Sequence, residues 1–125
     1  MKRTGGQVIT VEIDPETADI ARANIRQAGL EGVIDSRIND AMAEIPALKG
    51  DFDFVFMDTG APLNKKLFHL LQTRISSGGA ILAHNADSLK TEQPEFLKAI
   101  QSDPSFETKI APTAWGGILV SVRKR

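Results

Sequence analysis

Side chains that could do chemistry stand where four predicted strands end. In chain order, these residues are Glu12, Asp40, Asp58 and the adjacent pair His84 and Asn85. In an open α/β sheet, ligands bind outside the carboxyl ends of the parallel strands. We therefore expect these carboxylate, imidazole and amide groups to gather at one edge of the sheet, where they would form a ligand site.

Asp58 and Asn85 offer hard oxygen ligands, which suit magnesium or calcium better than zinc. His84 either joins them as a ligand or acts as a general base, because imidazole titrates near neutral pH. Asp58 and His84 are therefore the candidate catalytic residues. Glu12 is a poor helix cap, and an acid at such a strand end commonly binds the hydroxyl pair of a ribose.

Each of these residues also has a structural interpretation. Asp58 favours the turn that follows a strand, and Asp40 favours the N-cap of a helix. A lone histidine such as His84 at a strand end can be simply solvated. His69 lies inside a predicted amphipathic helix, and we interpret it as a surface residue.

The composition predicts one globular domain over residues 1–125. Hydrophobic residues make up 42% and charged residues 25% of the chain, as in ordinary soluble proteins. The net charge of -1 gives no reason to expect nucleic acid or an acidic membrane as a partner. The chain contains no cysteine, so disulfides and thiolate metal sites are excluded. No signal peptide and no membrane-spanning run is predicted, and we expect a cytoplasmic protein.

The predicted elements follow the order β-α-β-α-β-α-β-α-β-β. This order predicts an α/β fold with a mostly parallel six-stranded sheet and a C-terminal antiparallel strand pair. The first helix has the clearest boundaries, since Asp14 is a suitable N-cap, Pro15 suits the first turn, and Gly29 ends the pattern.

The stretch DFDFVFMDTG is the centre of this interpretation. Its apolar run, residues 54–57, predicts a strand buried on both faces. Helical spacing of apolar residues predicts a helix over residues 64–75, closed by Gly78 and Gly79. The fourth strand is then predicted over residues 80–83.

Four ordered blocks carry a family resemblance. They are ITVEIDPETADIARANIRQAGL, INDAMAEIPALKGDFDFVFMD, ISSGGAILAHN and WGGILVSVRK. Across nearly the whole chain, they resemble S-adenosylmethionine-dependent O-methyltransferases of the catechol and caffeoyl-coenzyme A type. The resemblance implies a Rossmann-like methyltransferase fold, S-adenosylmethionine as cofactor, and methyl transfer to a phenolic or catechol-like hydroxyl of a small molecule.

The resemblance also implies residues for the nucleoside of the cofactor. Glu12 corresponds to the acid that binds the ribose, and Ile13 to the residue that packs on adenine. Asp40 with Ala41 is similar to the pair beside the adenine amino group.

At the other two strand ends, the resemblance implies a divalent metal such as magnesium. Asp58 matches the metal-binding aspartate, at a place that also borders the cofactor, and Asn85 matches the asparagine ligand. The family usually has an aspartate where this chain has His84. The lysine three residues beyond Asp58 is also absent, because Ala61 stands there.

The resemblance further implies a strand, a glycine-rich turn and a helix before QVITVE. Here Gly5 and Gly6 lead into that strand, so half of the expected cofactor cradle has no counterpart. Without the preceding strand, the first and third strands each lack a neighbour. Direct pairing of these two strands, in the order 2-1-3-4-6-5, is our expectation. A homodimer with joined sheets, or a separate polypeptide that carries the missing part, are the alternatives.

Two other functions remain open at this point. The chain could be a non-catalytic binding or oligomerisation remnant of the methyltransferase fold. It also resembles a response-regulator receiver domain, because the acids Glu12 and Asp14 stand at the end of the first strand and Asp58 at the end of the third. Pro62, four residues after Asp58, fits the local spacing of that family. In a receiver domain the paired acids are adjacent, whereas Ile13 separates Glu12 and Asp14 here. The lysine of a receiver domain precedes a proline in a short loop, whereas Lys109 alternates within a predicted edge strand.

Overall fold

The computed structural model describes residues 3–60 and 63–125. In chain order, its elements are β1 (Val8–Glu12), α1 (Pro15–Gln27), β2 (Ile34–Ile38), α2 (Ala41–Ala47), β3 (Phe52–Met57), α3 (Leu63–Leu71), a 3₁₀ turn (Gln72–Arg74), β4 (Ile75–His84), a second 3₁₀ turn (Ala86–Ser88), α4 (Leu89–Glu92), α5 (Pro94–Ser102), β5 (Phe106–Ala111) and β6 (Ile118–Arg123). Ala61 and Pro62, which figured in the predictions, lie outside the described residues. Within the described ranges, no helix is long and apolar enough to cross a membrane.

The strands form two sheets. β1 pairs with β2 in parallel, and a second sheet has the order β3-β4-β6-β5. In that sheet β3 and β4 are parallel, and the pairs β4–β6 and β5–β6 are antiparallel. The α/β class, the order of elements and the C-terminal antiparallel pair are thus confirmed.

The prediction that β1 pairs directly with β3 is wrong. Over the described residues, the six strands divide into sheets of two and four, and no ladder joins β1 to β3. The pattern of apolar residues indicates that a segment is a strand. Which strand it pairs with depends on backbone groups that are distant in the sequence. β1 and β3 each keep one edge without a strand partner in this part of the chain.

The chain divides into two compact units, Met1–Leu48 and Lys49–Arg125. In the first unit, α1 begins as predicted, with the Asp14 side chain accepting a hydrogen bond from Thr17 N–H and Pro15 in the first turn. Among the described residues of this unit, Ala18 is the one fully buried apolar side chain. Large apolar side chains of the same unit are exposed, namely Ile9, Ile13, Ile20 and Ile38. The first unit therefore has a thin core, and the single-domain organisation stays a prediction.

The second unit has a dense core between its helices and its sheet. The ring of Phe68 on α3 lies 6.3 Å from the ring of Phe96 on α5 and 5.9 Å from that of Phe106 on β5. Other apolar side chains buried in this unit are Leu67, Leu71, Ile75, Ile81, Leu89, Ile100 and Leu119. Because each buried side chain of this size contributes about 1.5–3 kcal/mol, most of the hydrophobic stabilisation belongs to this unit.

β3 is less buried than its apolar sequence predicts. Met57 is buried, but Phe54 is 57% exposed and Phe56 is 51% exposed. The prediction of a strand covered on both faces is therefore wrong. The physical reason is that β3 lies at the edge of its sheet, with a partner strand on one side only among the described residues.

β4 begins five residues earlier than predicted, at Ile75 instead of residue 80. The helical spacing of Leu67, Leu71 and Ile75 suggested a longer helix, but α3 ends at Leu71. The early part of β4 contains a bulge, since the pairing changes from Phe52–Ile75 to Phe54–Ala80. Gly78 has a φ of +79° in this bulge, a conformation that favours glycine.

Gly79 is required by the same bulge. A Cβ atom at this position would lie 2.9 Å from both the backbone oxygen of Asp53 and that of Ser76. Neither oxygen can move without disturbing the strands that carry it. The close approach of β3 and β4 at this point therefore depends on a residue without a side chain.

We expect Gly79→Ala to lower the free energy of unfolding by about 1–3 kcal/mol, the usual cost of forcing extra volume into a packed site. Gly32→Ala is the matched control, because an added Cβ there meets nothing within 4 Å, and its effect should stay within about 0.5 kcal/mol. Urea unfolding followed by circular dichroism measures both. Equal stabilities of the two variants would contradict the role assigned to Gly79.

Candidate active site

The parallel pairing of β3 and β4 brings Asp58 and His84 together. Met57 and Ala83 are register partners, so the residue that follows Met57 lies across from the last residue of β4. The Nδ1 atom of His84 lies 3.2 Å from Oδ1 of Asp58. The Asp58 side chain is 65% exposed and that of His84 is 36% exposed. The pair is thus accessible to a solute at the carboxyl ends of these strands.

Asn85 follows in an unusual backbone conformation. Its φ of 56° and ψ of 43° are left-handed, and among the described residues it is the one non-glycine residue with positive φ. The next two residues anchor the turn, since Ala86 N–H and Asp87 N–H donate to the carbonyl oxygens of Gly117 and Gly116. A Cβ on Gly116 would lie 3.3 Å from Asn85 Oδ1. The amide of Asn85 is therefore directed toward the loop between β5 and β6.

Trp115 was not assigned a role from the sequence. It lies in the same loop, directly before Gly116, and is 84% exposed. Thr113 shapes the loop, because its hydroxyl oxygen accepts hydrogen bonds from the N–H groups of Trp115 and Gly117. The signal available in the sequence was a single tryptophan followed by two glycines in an irregular segment. An exposed indole at this place suits contact with a flat apolar group.

The donors at these strand ends do not fit a hard divalent cation. Ca²⁺ takes six to eight oxygen ligands, and Mg²⁺ usually binds one or two carboxylates together with several waters. Here Asp58 is the one carboxylate, its Oδ1 faces an imidazole, and the Asn85 Oδ1 faces Gly116. Throughout residues 3–60 and 63–125, no group of three or more metal-binding histidines and acids occurs. The metal-ligand roles predicted for Asp58 and Asn85 are therefore not supported.

In the first unit, the parallel pair β1–β2 places Glu12 and Asp40 at the same end of its ladder. Glu12 pairs with Ile38, two residues before Asp40. Oε1 of Glu12 accepts Asp14 N–H at 2.9 Å, and Oδ1 of Asp40 accepts Met42 N–H at 2.8 Å. Asp40 is thus the N-cap of α2, as its structural interpretation predicted. In the described part of the chain, the second oxygen of each carboxylate makes no protein hydrogen bond, and both remain available as acceptors.

Each of these acids is followed by an apolar residue. Ile13 is 68% exposed, and Ala41 is partly exposed at the first position of α2. Two available carboxylate oxygens beside an exposed apolar side chain fit a nucleoside, which presents ribose hydroxyl donors and a flat base. The residues predicted for the cofactor nucleoside therefore have suitable chemistry, and their roles stay predictions.

Other charged side chains, on α3 and β5, lie at the surface. The Nζ atom of Lys65 lies 3.4 Å from Glu95, and Lys66 and His69 are exposed on α3. Lys109 forms an ion pair with Glu107 at 2.8 Å on β5.

Comparison with known proteins identifies relatives. A family model described as a methyltransferase domain matches residues 1–86. Catechol O-methyltransferase of Niastella koreensis is 33% identical over 111 residues, covering 84% of this chain and 50% of that protein. Catechol O-methyltransferase of Mycobacterium tuberculosis is 24% identical over 133 residues, covering 94% and 60%. The chain thus spans 50–60% of the length of these relatives.

The fold is similar to that of solved methyltransferase structures. An O-methyltransferase from Bacillus cereus, solved in complex with SAH, superposes with a TM-score of 0.86 at 23% identity, covering 97% of this chain and 64% of that one. The predicted Rossmann-like methyltransferase fold is therefore confirmed, and the chain spans 64% of the length of that neighbour. The receiver-domain alternative is not favoured by these relatives.

The backbone N–H of Asp14 donates to Oε1 of Glu12, and the carboxylate of Asp14 leads to a prediction about pH. Its pKa lies below the ordinary value of 3.8 because the Thr17 hydroxyl and then the Thr17 N–H donate to the carboxylate. A lowered pKa in the folded state means that the charged cap contributes stability above pH 3.8 and loses it as the pH falls through the lowered value.

We expect hydrogen-exchange protection of α1 amides to fall across this acidic range in the wild-type chain. Asp14→Asn keeps a capping oxygen but cannot titrate. The loss of protection caused by protonation of residue 14 should therefore be absent in this variant. Glu31→Gln, an exposed acid beyond the end of α1, is the control and should retain it. A variant Asp14→Asn with the wild-type pH profile would contradict the role of this carboxylate.

Proposed function

The chain belongs to the S-adenosylmethionine-dependent O-methyltransferase family, and we propose that it transfers a methyl group from S-adenosylmethionine to a phenolic or catechol-like hydroxyl of a small molecule. The observation that carries the proposal is the placement of Glu12 and Asp40 at one end of the β1–β2 ladder, each with a carboxylate oxygen available. The names of two relatives, both catechol O-methyltransferases, support the class of acceptor. The cytoplasmic location expected from the composition stays a prediction.

In this proposal, four residues of the first unit hold the nucleoside of the cofactor. Glu12 accepts hydrogen bonds from the ribose hydroxyls, because a carboxylate offers two acceptor oxygens at a fixed separation. The exposed side chain of Ile13 packs on the adenine ring. Asp40 and Ala41 lie beside the amino group of the base, where the available Asp40 oxygen acts as acceptor.

When bound, S-adenosylmethionine supplies a methyl group on a positively charged sulfur, which an acceptor oxygen can take. The contribution of the first unit is to hold the cofactor nucleoside, and in the second unit the ends of β3 and β4 offer polar groups that can orient an acceptor hydroxyl. Orientation of two reactants is itself a large source of rate enhancement. The donors at Asp58 and Asn85 do not support a divalent metal, and no part of this proposal depends on one.

Calorimetric titration with S-adenosylhomocysteine tests the cofactor site. We expect saturable binding by the wild-type chain and roughly tenfold to hundredfold weaker binding by Glu12→Ala, since hydrogen bonds to a charged group contribute about 1.5–3 kcal/mol. Glu16→Ala removes an exposed acid from the first turn of α1 and should leave the affinity unchanged. No binding by the wild-type chain would favour the non-catalytic remnant.

We also propose that the chain forms a homodimer through the unpaired edge of β3. An edge strand presents N–H and C=O groups that a strand from another molecule can pair with. Phe54 and Phe56 lie on this strand and remain half exposed, so that a second copy would bury apolar surface as well as pair backbone groups. Direct pairing with β1 no longer accounts for this edge.

Analytical ultracentrifugation over a dilution series tests the dimer. We expect a wild-type dimer and a dissociation constant at least about tenfold higher for Phe56→Lys, because charge on an edge strand opposes pairing. Trp115→Ser, which removes an exposed aromatic ring outside β3, is the control and should remain dimeric. A wild-type chain that is monomeric at all concentrations would contradict the dimer and favour a separate polypeptide as the partner of β3.

A further inference from the structure

The contact between His84 and Asp58 defines the hydrogen-bonding roles of both side chains. An ionised carboxylate only accepts hydrogen bonds, so in a neutral ring the hydrogen must be on His84 Nδ1, 3.2 Å from Asp58 Oδ1. The other ring nitrogen, Nε2, then carries a lone pair. No hydrogen bond to Nε2 occurs within the described part of the chain, and the His84 side chain is partly exposed. A basic nitrogen is thus available at the carboxyl end of β4.

We propose that Nε2 of His84 accepts the proton of the acceptor hydroxyl, that Asp58 positions the imidazole, and that this pair acts without a hard divalent cation such as Mg²⁺. The inference rests on the proposed methyl transfer and specifies how the hydroxyl is activated. Asp58 does not touch the reacting atoms and is therefore a positioning residue. Its negative charge also stabilises the imidazolium that forms.

The proposed step conserves atoms and charge. The O–H bond of the substrate breaks, and its proton forms a new N–H bond at Nε2 of His84. The electron pair released on the oxygen forms the bond to the methyl carbon, while the sulfur keeps the electrons of the broken carbon–sulfur bond. The imidazolium later gives its proton to solvent, which restores the neutral ring for the next reaction.

The geometry favours this role over metal binding. Oδ1 of Asp58 is already directed toward the imidazole, and Oδ1 of Asn85 lies against Gly116. A hard cation bound by Asp58 and Asn85 would gain a single negative charge from these two side chains. Because hard cations select carboxylate and carbonyl oxygens, an imidazole in the position of His84 is the wrong partner.

Manganese binding, followed by electron paramagnetic resonance, tests the cation part directly. We expect Mn²⁺ to stay free in the presence of the wild-type chain, whereas His84→Asp should bind it at least about tenfold more tightly, because a second carboxylate completes an oxygen donor set. His69→Asp makes the same change on the exposed face of α3 and is the control that should not bind. Mn²⁺ binding by the wild-type chain that Asp58→Asn abolishes would overturn the proposal.

The state of the imidazole is a second readout that needs no activity. Nitrogen-15 NMR of the histidine rings should show the hydrogen of neutral His84 on Nδ1, and Asp58→Ala should remove that preference. His69, whose ring lies against Phe68 and has no carboxylate contact among the described residues, is the reference in the same spectrum. A hydrogen on Nε2 of His84 in the wild-type chain would overturn the assignment of the proton acceptor.

Methyl transfer to a catechol provides the kinetic test. We expect EDTA to leave the wild-type rate unchanged and His84→Gln to lower kcat by roughly 10²–10⁴-fold, the usual range for general base catalysis, with KM little changed. His69→Gln should behave as wild type. Inhibition by EDTA that added Mg²⁺ reverses would overturn the proposal. If the wild-type chain transfers no methyl group, the proposed function fails, and the manganese and NMR measurements still decide whether Asp58 and His84 form this pair without a bound cation.

Discussion

The register of the parallel pair β3–β4 is the constraint on which the chemistry of the second unit depends. Pairing of Met57 with Ala83 sets Asp58 across from His84, and their side chains meet at 3.2 Å. A shift of one residue would turn His84 to the opposite face of the sheet. The bulge near Gly79 establishes this register, because it absorbs the extra residues of β4 before the regular pairing begins. A backbone bulge at Gly79, five residues before His84 on the same strand, therefore determines which side chains meet at the site.

Stability is distributed unevenly between the two compact units. The second unit buries large aromatic and aliphatic side chains from α3, α5 and its sheet, whereas the first unit has Ala18 as its fully buried apolar residue within the described ranges. A two-stranded sheet is marginally stable by itself. Among the described residues, strand edges without a partner strand and exposed apolar side chains occur together, on β1 as on β3.

The two sets of candidate residues differ in how closely they follow their family. Glu12 and Asp40 retain the acids that the resemblance implies for a nucleoside, and each has an oxygen left for a ligand. At the ends of β3 and β4, the histidine changes the character of the site from an oxygen donor set to an imidazole–carboxylate pair. A metal ion activates a hydroxyl by stabilising its negative charge, and a general base does so by removing its proton. Either a metal ion or a general base can serve methyl transfer. The contact between His84 and Asp58 suits the general base.

The sequence by itself determined those features that depend on neighbouring residues. The start of α1 at Asp14 and Pro15, the order of strands and helices, and the polar residues at strand ends all follow from local chemistry, since caps, turns and apolar spacing act within a few residues. The alternation in β5 and the glycine stop after α1 belong to the same class.

Only the tertiary structure decided which strands are neighbours. The predicted pairing of β1 with β3, the burial of Phe54 and Phe56, and the helix through Ile75 were wrong because each depends on groups distant in the chain. Ile75 follows the spacing of a helix, yet it pairs with Phe52 as the first residue of β4. The contact of Asp58 with His84 also joins residues 26 positions apart. Local patterns specify the elements, but hydrogen bonds between distant backbone segments specify their partners, and the site forms only where those partners meet.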